Sequence, residues 1–205
     1  MKISSHKPHN ILLKRINPLL RFMIVSDMLI VGSLAMFANF YALFVEDTIV
    51  GAGEFEIGIS MSIYLLSRSV LQIPIATLLD KVKGEKDDYF LLILFSFTAA
   101  ILNLAFLKIS TVWHLYALQV LLGIVTAVTY PSYMAIFTRH VDKNMEGTEW
   151  GIYYTFVDIS SAALASFGGY VAQAYGFREL ILIVSSLCLL GAVTLIPIRA
   201  LTFKK

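Results

Sequence analysis

The stretch Leu180–Ile198 reads LILIVSSLCLLGAVTLIPI, nineteen residues without one charge. Its apolar residues run on continuously and do not alternate, which favours a helix over a barrel strand. A bilayer core takes about 20 apolar residues per helix, so this stretch is long enough to span one. Five more such runs precede it: Leu19–Phe44, Ile57–Leu79, Tyr89–Leu107, Val112–Phe137 and Trp150–Ala172. The first, at ~1.5 Å per residue, reaches about 39 Å as one helix. Hydrophobic residues make up 58% of the 205 and charged residues 15%, leaving almost no material for a soluble domain. Mean hydropathy is +0.78, in keeping with a polytopic membrane protein. The fold class expected is all-α with six transmembrane helices. The organisation expected is a polar arm over residues 1–18, a helical domain over 19–200 and a short tail over 201–205.

Charge sets the orientation. Lys2, Lys7, Lys14, Arg15, Arg21, Lys81, Lys83, Lys86, Arg139, Lys143, Arg199, Lys204 and Lys205 fall on one side of a six-span weave. Only Lys108 and Arg178 fall on the other, together with Glu46, Asp47, Glu54, Glu56 and Glu179. The positive-inside rule then puts both termini in the cytoplasm, with the plasma (inner) membrane as the expected location. The basic clusters are short and sit at helix ends, so no nucleic-acid surface is expected. The lone Cys188 permits no intramolecular disulfide. Asn17 and Pro18 are a helix start, with Pro at the first position. Gly84 and Gly176 mark turns. No nucleophile elbow, zinc-helix motif or phosphate-binding loop is present, and the four histidines are peripheral, so neither an enzyme nor a cofactor or metal is expected.

Three ionisable residues fall within spans: Asp27, Arg68 and Asp158. A charge at mid-bilayer costs ~2.5–3.5 kcal/mol on insertion scales, so each needs a partner or a wet cavity. Counted from the cytoplasmic ends of their spans they lie about 12–17 Å deep, in one layer that would suit a single network. Arg68 belongs to a stripe at four-residue spacing, Ser60, Tyr64, Arg68, Gln72, Ala76 and Asp80; Asp158 belongs to another, Tyr154, Asp158, Ser161, Ala165 and Gly169. Polar and small-residue stripes in membrane helices face protein or water. They are read either as packing within the chain or as faces that meet a second six-helix unit. Pro131 is expected to kink or loosen the fourth span.

The stretch Ala76-Thr-Leu-Leu-Asp80-Lys-Val-Lys-Gly84-Glu-Lys86 resembles the cytoplasmic Gly-x-Leu-Ala-Asp-Arg-x-Gly-Arg-Lys signature of the major facilitator superfamily, with Leu78, Asp80 and Lys81 matching. Ala76 replaces the first glycine, and Gly84 comes one place late. Gln119-x-x-x-Gly123 is similar to the Arg-x-x-x-Gly of that family's fourth helix, and Gly168-Gly169 with Tyr175-Gly176-Phe177-Arg178 to the passage from helix five to helix six. The antiporter pattern Gly-Pro-x-x-Gly-Gly is not met, since Leu164 and Ala165 stand at its Gly-Pro positions. The resemblance implies one six-helix half of a twelve-helix carrier whose halves are related by an axis along the membrane normal. It implies a parallel homodimer that carries a small solute by alternating access, with Arg68 of one protomer facing Asp158 of the other. Family helices one and four line the cavity, which here supplies Asp27, Asn39, Tyr41, Gln119, Tyr130 and Tyr133. Asp27 is the candidate proton or cation site, and Asp80 with Lys81 a gate. The alternatives are an accessory or scaffold subunit, and one half of a split heterodimeric transporter.

Overall fold

A computed structural model describes residues 16–81 and 84–202. The arm residues 1–15, Lys83 and the tail residues 203–205 lie outside the described part. The helices are α1 (Pro18–Ala38), α2 (Tyr41–Thr48), α3 (Glu54–Lys81), α4 (Lys86–Leu104, extended by a 3-10 turn Ala105–Leu107), α5 (Val112–His140), α6 (Glu146–Tyr175), α7 (Phe177–Thr194) and α8 (Ile198–Thr202). Among the described residues there is no strand beyond one isolated bridge, Val50 to Thr111.

Local chemistry sets the ends. Asn17 accepts from the Leu19 N–H at 3.0 Å with Pro18 behind it, the expected cap. Thr111 does the same for α5, accepting from the His114 N–H at 3.4 Å. Gly176, at φ +93°, ends α6 and donates to Val171 and Ala172 carbonyls before α7 departs.

Two buried clusters lie at opposite ends of the bundle. Ile16, Leu20, Ile24, Tyr89, Phe137, Tyr153 and Ile198 make the first. Met36, Phe44, Phe106, Leu115, Val171 and Ile181 make the second. Both described termini therefore sit at the first end, here called proximal, and α1, α4, α5, α6 and α7 each run from one cluster to the other. At the distal end the Val50 N–H donates to the Ser110 carbonyl at 3.0 Å, joining the α2–α3 turn to the α4–α5 turn.

Among the described residues, five segments are long and apolar enough to cross a membrane: Pro18–Ala38, Glu54–Lys81, Lys86–Leu107, Val112–His140 and Phe177–Leu201. The fifth expected span, Trp150–Ala172 within α6, has the length but not the apolarity, because Asp158 and its serines and glycines dilute it. The first expected span is also not one helix. It breaks at Asn39–Phe40, and α2 continues separately. By contrast, α5 continues unbroken through Pro131.

The helices pack as α3 on α5, α1 on α6 and α7, and α4 on α5 and α7. Glycines set the closest approaches. A Cβ on Gly123 would stand 2.7 Å from the Tyr64 carbonyl and 2.7 Å from Ser67 Cβ on α3. One on Gly168 would stand 2.6 Å from the Met36 carbonyl on α1. The polar stripe of α3 is consequently turned against α5, inside the protomer. Its outer face is largely apolar, with Met61, Leu65, Leu66, Val70 and Ile73 exposed. Ser60 and Leu79 are the buried residues of this helix.

Gly123→Ala is expected to lower the stability of the detergent-solubilised protein by about 1–3 kcal/mol, since the new methyl meets backbone. Gly151→Ala has open space around it and should instead stabilise the helix by roughly 0.5–1 kcal/mol. Thermal unfolding of the two variants side by side checks the opposite signs.

Candidate functional site: a cavity between two polar poles

Between the clusters lies a cavity of about 390 Å³. Its walls come from α1 (Asp27, Ile30, Val31, Leu34, Phe37), α2 (Tyr41), α3 (Met61, Tyr64), α4 (Leu92, Ser96, Asn103), α5 (Gln119, Thr126, Tyr130, Tyr133), α6 (Tyr153) and α7 (Cys188). Val31, Leu34, Met61 and Tyr130 line it and are also exposed on the molecular surface, so the cavity opens on the face between α1, α3 and α5.

The distal pole is a chain of hydrogen bonds. Gln119 donates through Nε2 to the Tyr41 hydroxyl at 2.7 Å. The Tyr41 and Ser60 hydroxyls are 2.6 Å apart, and Ser60 donates to the Ile57 carbonyl at 2.7 Å. The chain joins α5, α2 and α3, and all three side chains are buried. The break at Asn39–Phe40 makes this possible, because it turns Tyr41 inward on its own short helix.

The proximal pole is Asp27. It accepts from the Tyr153 hydroxyl at 2.7 Å. Tyr133 is buried beside them, with its hydroxyl turned to the same carboxylate. Tyr133 stacks on Phe137, and Tyr153 packs edge-on against Phe137 and Trp150, which closes this end with rings. Midway along the wall, Cys188 Sγ lies 3.1 Å from Ser33 Oγ and 3.8 Å from Asn103 Nδ2.

Five of the six expected pathway residues thus line one cavity: Asp27, Tyr41, Gln119, Tyr130 and Tyr133. Asn39 does not. It sits exposed in the α1–α2 turn, and its amide donates back to the Ala35 carbonyl at 3.1 Å. The three intramembrane charges do not form one network either. Asp27 bonds Tyr153. Arg68 donates to Gln72 Oε1 at 3.3 Å and lies 4.9 Å from the centre of the Tyr130 ring. Asp158 is exposed on α6 and has no hydrogen bond or ion pair among the described residues. Helix rotation is the reason: Asp27 and Asp158 are on faces that point to different spaces. Asp80 and Lys81 are exposed at the end of α3, away from the cavity. Gly84 turns the chain there at φ +124°.

Two features were not read from the sequence. Tyr153 is the partner of Asp27, yet its neighbour Tyr154 carried the visible stripe, and only the rotation of α6 separates the two. The second is an ion pair between Arg139 at the end of α5 and the fully buried Asp88 at the start of α4. His140 Nε2 stands 3.7 Å from Glu85 beside it. Buried Glu149 accepts from the Asp142 N–H at 3.0 Å. Burial raises the Glu149 carboxyl above its ordinary range, and the Asp142 N–H opposes that shift. These contacts tie the proximal turns together. The charges were legible, but their pairing across 51 residues was not.

A helical bundle woven between two ends, with a partly polar cavity at its centre, defines a class of membrane carrier. The chain belongs to the Major Facilitator Superfamily, whose sequence profile matches residues 23–202. It is similar to an uncharacterised MFS-type transporter, YitZ, of Bacillus subtilis (strain 168), with 28% identity over 136 residues, 66% of this chain and 79% of that protein. It is also similar to an uncharacterised MFS-type transporter, MJ1560, of Methanocaldococcus jannaschii, with 27% identity over 153 residues, 75% of this chain and 37% of that protein. The matched region is thus under half of the archaeal protein's length.

Tyr41→Phe is expected to leave the Gln119 amide and the Ser60 hydroxyl without their shared oxygen and to cost about 1–3 kcal/mol. Ser62→Ala, which removes an exposed hydroxyl bonded to its own helix, should stay within roughly 0.5 kcal/mol of the parent. Unfolding followed by intrinsic fluorescence in detergent compares the two.

Proposed function

We propose that this protein is a secondary transporter of small solutes in the plasma membrane. In this reading it crosses the membrane six times with both described ends in the cytoplasm, and works as a parallel homodimer of six-helix halves by alternating access. The observation that carries the proposal is the cavity with an incomplete wall. It holds a carboxylate, a glutamine and several tyrosine hydroxyls, and it opens on the α1–α3–α5 face. Polar groups at membrane depth face protein or water, so a second unit is needed to close that side. The family's two halves are related by an axis along the membrane normal, and exact two-fold pairing of one chain reproduces that arrangement.

Two further features support pairing. The face of α3 is largely apolar and open, and α6 exposes Tyr154, Ile159, Phe167 and Tyr170. Asp158 on α6 lacks a partner among the described residues, and Arg68, half-buried, has no acid beside it. A homodimer brings Arg68 of one copy to Asp158 of the other, which satisfies both. The relatively low apolarity of α6 fits a helix that meets protein over part of its length. Asp27 is the proton or cation site in this reading, and Asp80 with Lys81 act at the cytoplasmic gate.

Native mass spectrometry from a mild detergent is expected to give twice 22.9 kDa plus bound lipid. Arg68→Asp and Asp158→Arg should each reduce the dimer, and the double swap should restore it. A stable monomer would instead favour an accessory subunit or a chain that pairs with a different half. Solute uptake into proteoliposomes then tests transport itself. Asp27→Asn should abolish its pH dependence, and uptake with unchanged rate and pH profile would remove Asp27 from the coupling.

A further inference from the structure

The geometry points to an organic cation with an apolar, ring-bearing body as the solute this cavity holds, its charge seated between Asp27 and the Tyr133 and Tyr153 rings. The inference rests on reading the cavity as the solute path, and it adds the substrate class.

Asp27 is the one carboxylate in the cavity wall, and no Lys, Arg or His lines it. The nearest basic residue with a role at this face, Arg68, is committed to Gln72 and to the Tyr130 ring. The wall therefore carries one acid that no protein cation balances. A buried carboxylate without a counter-ion is costly, and the Tyr153 and Tyr133 hydroxyls offset part of that cost, so the site takes up either a proton or a cation. A bound cation would supply the missing charge.

The rest of the wall selects the cation's shape. Tyr64, Tyr130, Tyr133 and Tyr153 all line the cavity with Asp27. Aromatic faces attract cations, most strongly when water is excluded, and recognise quaternary ammonium groups that cannot donate a hydrogen bond. The Tyr133 hydroxyl, turned to Asp27, adds a polar contact at the same spot. Ile30, Leu34, Phe37 and Phe106 provide apolar contact for the body of the solute. A volume of about 390 Å³ falls within the ~300–1,000 Å³ of pockets that enclose drug-sized molecules. An anion would meet Asp27 unscreened.

Tetraphenylphosphonium and tetraphenylborate have the same shape and opposite charge, so they test the assignment directly. Binding of radiolabelled tetraphenylphosphonium to the purified full chain in detergent is measured by scintillation proximity, with excess unlabelled ligand defining background. Saturable binding is expected; radiolabelled tetraphenylborate, assayed separately because the two ions form a sparingly soluble salt, should show none. Asp27→Asn should weaken binding at least tenfold. Asp47→Asn, which removes an exposed acid at the end of α2, should leave it unchanged. Equal saturable binding of the borate, or unchanged affinity in Asp27→Asn, overturns the assignment. Should Asp27→Asn not fold, Asp27→Glu, which keeps the carboxylate and should keep binding, and the phosphonium–borate discrimination of the unaltered protein decide the matter. Cation binding without uptake of any solute into vesicles would retire the transporter reading and leave the site. Uptake of another solute with no cation binding would do the reverse.

Discussion

Close backbone approach is the constraint on which this structure depends. Lipid tails are as apolar as the side chains facing them, so helices in a bilayer gain little from burying leucine against leucine. They gain from fit. Gly123 lets α5 touch the backbone of α3, Gly168 brings α6 onto Met36 of α1, and Gly191 brings α7 against Ser26 and Ile30 of α1. These contacts fix the rotation of each helix about its axis, and rotation decides which side chains reach the interior. With α5 held on α3, the Arg68 stripe turns inward and a mostly apolar face is left outside.

The cavity follows from that packing. Its two polar poles use different means to hold polar groups away from water. At the distal pole every donor finds an acceptor, and the result is a buried chain across three helices. At the proximal pole the balance does not close: one carboxylate faces two tyrosine hydroxyls and no basic side chain lines the wall beside it among the described residues. A satisfied network rigidifies, whereas an unsatisfied one marks a place where something else is expected to bind.

Much of this was legible in the sequence because apolar length is a strong signal and charge placement is another. The helical class, the alternation of ends, the cap at Asn17–Pro18 and the turn at Gly176 all follow from local chemistry. So did five of the six cavity residues, although these came through resemblance to a known arrangement of helices. What failed was anything that depends on helix phase or on a local break. Leu19–Phe44 is apolar throughout, so nothing in its composition announced that Asn39 would leave the helix and bond back to Ala35. Counting from the span ends puts Asp27, Arg68 and Asp158 in one layer. Depth alone, however, does not say which way a side chain faces, and the three face apart. Tyr153 and Tyr154 differ by 100° about the helix axis, and choosing between them required the packing of α6 on α1.

The distal chain has a polarity with its own consequence. Gln119 donates to Tyr41, and the single Ser60 hydrogen is already directed to the Ile57 carbonyl, so Tyr41 must donate to Ser60. Every hydrogen in the row therefore points the same way, from an amide at one end to a main-chain carbonyl at the other. Neither terminus gains or loses a proton near neutral pH, and the row cannot reverse without breaking its last link. It behaves as a strut and not as a wire: it can hold α2, α3 and α5 at fixed separations, but it conducts nothing. Of the two poles, only the proximal one holds a carboxylate, Asp27.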